Sequence, residues 1–402
     1  MDAATERSLF AGMQAEQSRK APPEGFPELP VIPGGRYTDP AFLELEMKHL
    51  WKKSWLYCLH EDELPRPGSY RLWRKTGSPI VVIRGKDHKI RAFYNTCRHR
   101  GAPLMEDESG DAKGFFCRYH GWTYNLEGKL TAVRERRDFP GFEPECFGLA
   151  EVRCEQLGNW VFLNEDPEAP PLLEAMAPMP DHWRDMQLDS LRHVHSSGFD
   201  IGCNVKVLLD AFLETYHLKS IHPQTVDRFL DSRGSYHVLY DNGNSLMVTP
   251  HRREGWEDPG AAGMPEIDTA PNIYAKQNAS YNFYPNLVTP VAATGIPVLT
   301  FWPKDSRSMT VDVHWFATES ALGHELWRTR ISNFERILEE DTQFAPHIQE
   351  SVESAGFKGI YLSYQERRIY HWHEQLDRRI GPENIPQALR IEPLLADYCT
   401  AA

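Results

Sequence analysis

Cys97-Arg98-His99 and Cys117-Arg118-Tyr119-His120 place one thiol and one imidazole on each of two short segments, separated by 17 residues. Gly101-Ala102-Pro103 follows the first pair and Gly121-Trp122 the second, so each pair sits in a tight loop where a strand ends. Two thiolates and two imidazoles can hold tetrahedral zinc or a [2Fe-2S] cluster. Zinc ribbons pair Cys with Cys inside one loop. Here each loop gives one Cys and one His, which lets one iron take both thiolates and the other both imidazoles. Replacing two charged thiolates by His lowers the negative charge on the cluster and raises its potential, which suits passing single electrons. The two loops must therefore be held face to face by a rigid frame. Cys58, Cys146, Cys154, Cys203 and Cys399 lack such partners and read as ordinary thiols.

The frame is legible around them. From 56 to 166 the texture is β-rich and broken by Gly, Pro and Asp, with strand-like runs at 69–73, 80–84, 89–94, 114–116, 123–125, 152–156 and 160–164. This predicts a compact antiparallel β domain. Before it, residues 1–38 are rich in Pro, Gly and charge and read as an arm without an element of its own. Phe42, Leu45, Met47, Leu50, Trp51 and Trp55, behind the capping carboxylate of Asp39, predict a helix over 39–55 that packs on the catalytic domain. The prolines of 167–181 read as a stiff linker. Residues 182–402 mix strand-like runs (193–201, 237–240, 246–250, 282–290, 298–302, 309–316) with long helical patterns at 205–220 and about 321–354. The expected fold class is α+β, an antiparallel sheet flanked by helices.

The helical pattern beginning Asn204-Val205-Lys206 carries a second donor set: Asp210, Glu214, His217 and His222, followed by Pro223. At about 100° per residue Asp210 and His217 share a face to within about 20°, Glu214 lies about 60° from His217, and His222 about 140° away. The helix must therefore unwind after about Ser220 for both rings to converge, and Pro223 gives it reason to stop. Two His and one carboxylate with open positions form the facial triad of non-haem Fe(II) oxygenases. Asp210, Glu214 or a distant residue could supply the acid. Asn204, Asp210 and Glu214 are the candidate catalytic residues on this segment. His371 and His373 read as alternating positions on a strand or exposed loop.

With 44 Lys and Arg against 57 Asp and Glu, a net charge of −13, nucleic acid and anionic membranes are poor partners. The longest apolar runs, near 79–83 and 296–301, are too short to span a bilayer, and the first residues show no secretory signal, so a cytoplasmic protein is expected.

From about Phe42 to about His373 the chain resembles the catalytic α subunit of Rieske non-haem iron oxygenases, the aromatic-ring-hydroxylating family. Cys97-x-His99 with Cys117-x-x-His120 matches its cluster motif, and Glu214-x-x-His217-x4-His222 its mononuclear-iron motif. The resemblance implies that Cys97, His99, Cys117 and His120 hold the Rieske [2Fe-2S] cluster and that His217 and His222 bind Fe(II). It implies a third ligand from an Asp on a late helix; Asp341 is taken for it, with Glu340 beside it as the alternative. It further implies a homotrimer in which Glu214 bridges His120 of one subunit to His217 of the next. Many ring dihydroxylases have Asp at that place, whereas Glu is commoner in a branch with quaternary-ammonium oxygenases and demethylases. Asp210 matches a position near the iron where a proton role is expected. Electrons would come from external NAD(P)H through a separate reductase, with or without a ferredoxin, since the chain has no Gly-x-Gly-x-x-Gly after a strand. The expected activity is ring dioxygenation of an aromatic compound with O₂. The alternative is a monooxygenase or demethylase acting on a methylated ammonium or other C–H substrate. The expected pocket wall is Tyr281, Asn282, Phe283, Tyr284, Asn286, Val298, Phe301 and Trp302.

Overall fold

In Ile80–Arg84, Ile80, Val81, Val82 and Ile83 are all buried, and such a strand can only lie inside a sheet covered on both faces. In the computed structural model, which describes residues 1–402, it lies between Ile90–Tyr94 and Ser69–Trp73. The chain divides into two compact units, Trp51–Leu172 and the combination of Met1–Leu50 with Leu173–Ala402.

The Trp51–Leu172 unit is a seven-stranded antiparallel sheet in the order Leu56–His60, Trp160–Asn164, Glu151–Leu157, Ile90–Tyr94, Ile80–Arg84, Ser69–Trp73, Ser109–Asp111. A three-stranded sheet, Phe115–Phe116, Thr123–Tyr124 and Leu130–Ala132, stands beside it. Val81, Ile83, Phe93, Phe115, Trp122 and Tyr124 form one core cluster with Cys97 and Cys117, so the thiols belong to the packed interior. The strands at 109–111 and 130–132 escape sequence reading because they are short and mostly exposed.

The other unit is built on an eight-stranded sheet in the order Arg192–Ile201, Met309–Ala317, Ile296–Pro303, Leu287–Val291, Gln277–Phe283, Ser245–Pro250, Tyr236–Tyr240, Cys399–Thr400. Only the last pair is parallel. Helices Pro40–His49, Val205–Phe212, Leu326–Thr342 and Arg367–Ile380 complete the α+β fold. No helix is long and apolar enough to cross a membrane.

Several expectations need correction. The first residues are not an element-free arm: Ala3–Ser18 is a helix whose N-terminus Asp2 caps by accepting from the amides of Ala4 and Thr5, both at 2.8 Å. Its apolar stripe is little more than Leu9 and Met13, too thin to read as a period. The stretch at 167–181 carries helical turns at Leu172–Ala175 and Met179–His182, with Leu172, Met176 and Met179 buried. The run at 282–290 is two strands reversing at Tyr284–Asn286, and the pattern at 321–354 is two helices, Leu326–Thr342 and Ala345–Val352. His371 and His373 lie on the buried helix Arg367–Ile380.

The helix Pro40–His49 is fastened to Val205–Phe212 by a fully buried ion pair, Lys206 Nζ to Glu46 Oε1 at 2.7 Å. Burial pushes the Lys206 pKa down and the Glu46 pKa up, each opposed by the other charge. Lys206→Met leaves Glu46 as a buried charge without its partner. Denaturant unfolding should report a loss of about 3–5 kcal/mol, most of it recovered when Glu46→Leu is added. A single variant as stable as the parent would show that the pair is not holding the two helices.

Candidate active site

The two Cys/His loops share one hydrogen-bond pattern. In the first, the Cys97 amide donates to the Ala102 carbonyl (2.8 Å) and the Gly101 amide to the Cys97 carbonyl (2.9 Å). In the second, the Cys117 amide donates to Trp122 and the Gly121 amide to Cys117, both at 2.8 Å. Gly101 and Gly121 take φ of +76° and +79°, a region a side chain would strain. The loops face each other: the His99 and His120 rings lie 4.5 Å apart between centroids, and His99 stacks on Trp122 at 5.0 Å. The Tyr124 hydroxyl stands 3.5 Å from Cys97 Sγ and accepts from the Arg98 amide at 3.1 Å. Both His Nδ1 atoms are sealed from solvent without a hydrogen-bond partner, beside two buried thiols. Burial pushes the Cys97 thiol above its ordinary pKa, a cost that a bound metal removes by taking the thiolate. Two thiols and two unpartnered ring nitrogens fit the donor set of the asymmetric cluster.

The second donor set does not lie on one helix. Val205–Phe212 stops at Leu213, and Glu214 organises the turn that follows, its carboxylate accepting from the amides of Tyr216 and of His217 (3.2 Å). A short helix, Leu218–Ile221, then runs between His217 and His222, and Pro223 prevents its continuation. The shared face expected for Asp210 and His217 is therefore absent, because backbone hydrogen bonding lapses between them. Instead His217, His222 and Asp341 converge, with candidate ligand atoms within 4.8 Å of one another. His222 Nε2 is 3.0 Å and His217 Nε2 3.6 Å from Asp341 Oδ1.

Each ring is held from behind by a different acid. His217 Nδ1 meets Glu214 Oε1 at a very short distance, and His222 Nδ1 lies 2.7 Å from Glu340 Oε2, which also accepts from the Thr225 hydroxyl at 2.6 Å. The adjacent acids of the late helix thus divide their work: Asp341 faces the two Nε2 atoms and Glu340 orients one ring. Acid–imidazole pairs of this kind fix the tautomer and leave Nε2 free for a metal. Two ring nitrogens and one carboxylate oxygen fit Fe(II) with open positions.

The other two candidate catalytic residues stand apart. Asn204 is the cap of Val205–Phe212, its side chain accepting from the Lys206 amide at 3.1 Å and donating to the Ser306 carbonyl at 3.2 Å. Neither it nor Asp210 lines the cavity described below. Asp210 is buried and accepts from the Tyr37 hydroxyl at 2.6 Å. Tyr37 also meets His373 Nε2 at 2.8 Å, and His373 Nδ1 accepts from Arg36 Nε at 3.1 Å. That last bond places the His373 proton on Nε2, so the chain runs Arg36 to His373 to Tyr37 to Asp210. Burial pushes Asp210 up to about 7 against the hydrogen bond from Tyr37, which lowers it. Sequence reasoning passed over Tyr37 and read His373 as a strand or loop position, because the two are brought together from opposite ends of the chain.

A cavity of about 780 Å³ opens on His217, His222 and Asp341, and Phe212, Trp256, Trp315 and Phe334 give it aromatic walls. None of the eight expected wall residues lines it. Along Gln277–Phe283 the cavity takes Gln277, Asn278 and Ser280, while Tyr281 turns away to bond the Tyr274 hydroxyl (2.7 Å) and His182 Nδ1 (3.0 Å). Phe301 instead packs edge-on against Phe212 at 5.1 Å.

Comparison with known proteins matches residues 54–143 to the Rieske [2Fe-2S] domain and residues 188–382 to the ring hydroxylating α subunit catalytic domain, together about seven-tenths of the chain. The chain belongs to the Rieske-type oxygenase family. Such α subunits pair a Rieske [2Fe-2S] cluster with a mononuclear iron in the catalytic domain. The family relatives include both kinds of oxygenase. The glycine betaine monooxygenase oxygenase subunit of Chromohalobacter salexigens is 27% identical over 223 residues, 56% of this chain and 48% of that protein. The large oxygenase component of the naphthalene 1,2-dioxygenase system of Pseudomonas putida is 30% identical over 257 residues, 59% of this chain and 56% of that protein. These matches thus span about half the length of the curated relatives. Among solved structures, a quaternary ammonium Rieske monooxygenase shares the fold with a TM-score of 0.75 at 22% identity, covering 90% of this chain and 100% of that one.

Proposed function

We propose that this chain is the terminal oxygenase of a multicomponent system, inserting oxygen from O₂ into an apolar, preferentially aromatic substrate held in the cavity at His217, His222 and Asp341. The observation that carries this reading is the convergence of those three donors on the wall of an aromatic-lined cavity, with both rings already oriented by separate acids. Cys97, His99, Cys117 and His120 would hold the cluster. When bound, the two metal centres would supply single-electron delivery and O₂ activation.

The protein's own part is positioning. Glu214 and Glu340 accept from the Nδ1 atoms of His217 and His222 and keep both Nε2 atoms turned toward Asp341. The aromatic walls exclude water and favour a flat, apolar guest. Dioxygenation of an aromatic ring is the reading these walls favour. Glu214 in place of Asp is the feature that supports the second, a monooxygenase or demethylase of methylated amines. A cytoplasmic homotrimer served by an NAD(P)H reductase, with or without a ferredoxin, is the assembly we propose.

The test is aerobic turnover of iron-loaded protein with a surrogate reductase and NADH, against aromatic hydrocarbons, aromatic acids and methylated amines, with products identified by mass. A product heavier by two oxygens and two hydrogens assigns ring dioxygenation. Gain of one oxygen, or release of formaldehyde, assigns the second reading. NADH oxidation without any oxygenated product across the panel would overturn both.

A further inference from the structure

The helix Leu326–Thr342 that brings Asp341 to the metal site carries two arginines to the same cavity, Arg336, which is exposed, and Arg330, which is buried. Arg330, Phe334, Ile337 and Asp341 all line it. Asp341 lies eleven positions after Arg330, which on an α-helix is about 16 Å along the axis and only about 20° around it. One stripe of one helix therefore runs from a guanidinium to a metal-facing carboxylate, with Phe334 and Ile337 between them.

Arg330 is only 6% exposed and makes no ion pair. The acid whose field it feels, Asp258, is itself exposed and stands beyond ion-pair distance. Its terminal nitrogens donate to the Thr294 carbonyl at 2.9 Å and the Gly295 carbonyl at 3.5 Å, and its plane lies over Trp315 (5.1 Å) and Trp327 (5.2 Å). Two carbonyls use two of the five N–H donors. A buried cation with donors to spare and no acid within ion-pair distance is an expensive arrangement for mere support, since the carbonyls and indoles fix the fork without neutralising it and Asp258 acts only from farther away. It is a preformed seat for a planar anion.

We propose that the substrate carries a carboxylate that pairs with Arg330, while its apolar body lies along Phe334 and Ile337 toward His217, His222 and Asp341. This rests on the oxygenase reading for the identity of the reacting end, but not for the binding itself. Of the acids on the lining, Glu214 and Asp341 belong to the metal end and Glu257, Asp258 and Glu266 are exposed, as are Arg228 and Arg336, so Arg330 is the buried guanidinium a guest meets. The separation of Arg330 from Asp341 selects elongated acids over compact ones.

The experiment is calorimetric titration of the iron-loaded protein, without reductase, using biphenyl-4-carboxylate, its primary amide and benzoate. The biphenyl acid should bind at least about tenfold more tightly than the amide of the same shape, the scale of one charge-assisted hydrogen-bonded pair, and more tightly than benzoate. Arg330→Gln should erase the preference for acid over amide, and Arg330→Lys should keep part of it. Equal binding of acid and amide by the parent protein, or no saturable binding of either, would overturn the proposal without reference to any variant. So would an unchanged preference in a folded Arg330→Gln protein. Acid-selective binding with no oxygenated product on adding reductase and NADH would leave the carboxylate seat standing and count against the oxygenase reading alone.

Discussion

Asp341→Ala is expected to yield a protein that keeps the visible absorbance of its cluster and loses its mononuclear iron. The two Nε2 atoms converge on a single carboxylate oxygen, so the substitution removes the one anionic donor in the set and leaves two neutral rings. Losing a mere supporting partner of a ligand weakens metal affinity by about 10–100-fold, and losing the ligand itself should exceed that. Iron and acid-labile sulfide assays on the same sample give the answer: the iron-to-sulfide ratio falls to that of the cluster alone, and turnover disappears with it. Full iron occupancy would overturn the assignment of Asp341 as the third ligand.

Glu214→Gln is expected to keep the cluster, to weaken the hold on the mononuclear iron without abolishing it at saturating Fe(II), and to lower turnover by about 10–100-fold. Glutamine keeps an oxygen that can accept from the Tyr216 and His217 amides, so the turn should persist. What it loses is the charge behind His217 Nδ1 and, on the reading that Glu214 bridges subunits, the link from His120 of one chain to His217 of its neighbour. Single-turnover measurement from the reduced cluster separates the two roles. A slow electron step with unchanged iron content supports the bridge. Oxidation at the parent's rate would sink it.

The metal chemistry was legible because donors must meet at a fixed distance, and that requirement leaves a spacing in the chain. The β strands around 69–94 were legible because apolar runs there are bounded by turn residues. Helix phase failed between Asp210 and His217 because a carboxylate, Glu214, satisfies the amides that a continuing helix would have used. Spacing could not choose between Glu340 and Asp341, since neighbours on a helix point about 100° apart and only the fold says which way is inward. The cavity wall was misassigned for a related reason. Leu287–Val291 and Ile296–Pro303 are buried on both faces, so their composition carries no alternation to show which side is hollow. Arg330 was invisible as a site residue because one of three arginines in a charged helix looks like surface.

The two loops that carry Cys97, His99, Cys117 and His120 repeat one backbone scheme, each clamped ahead of and behind its Cys and closed at a glycine. A frame made of amide hydrogen bonds and a packed core has little freedom to relax when the charge it encloses changes. Cys97, His99, Cys117 and His120 would therefore hold a cluster with small nuclear rearrangement on gain or loss of an electron, so the speed of that exchange would be governed by separation and driving force and hardly at all by protein motion.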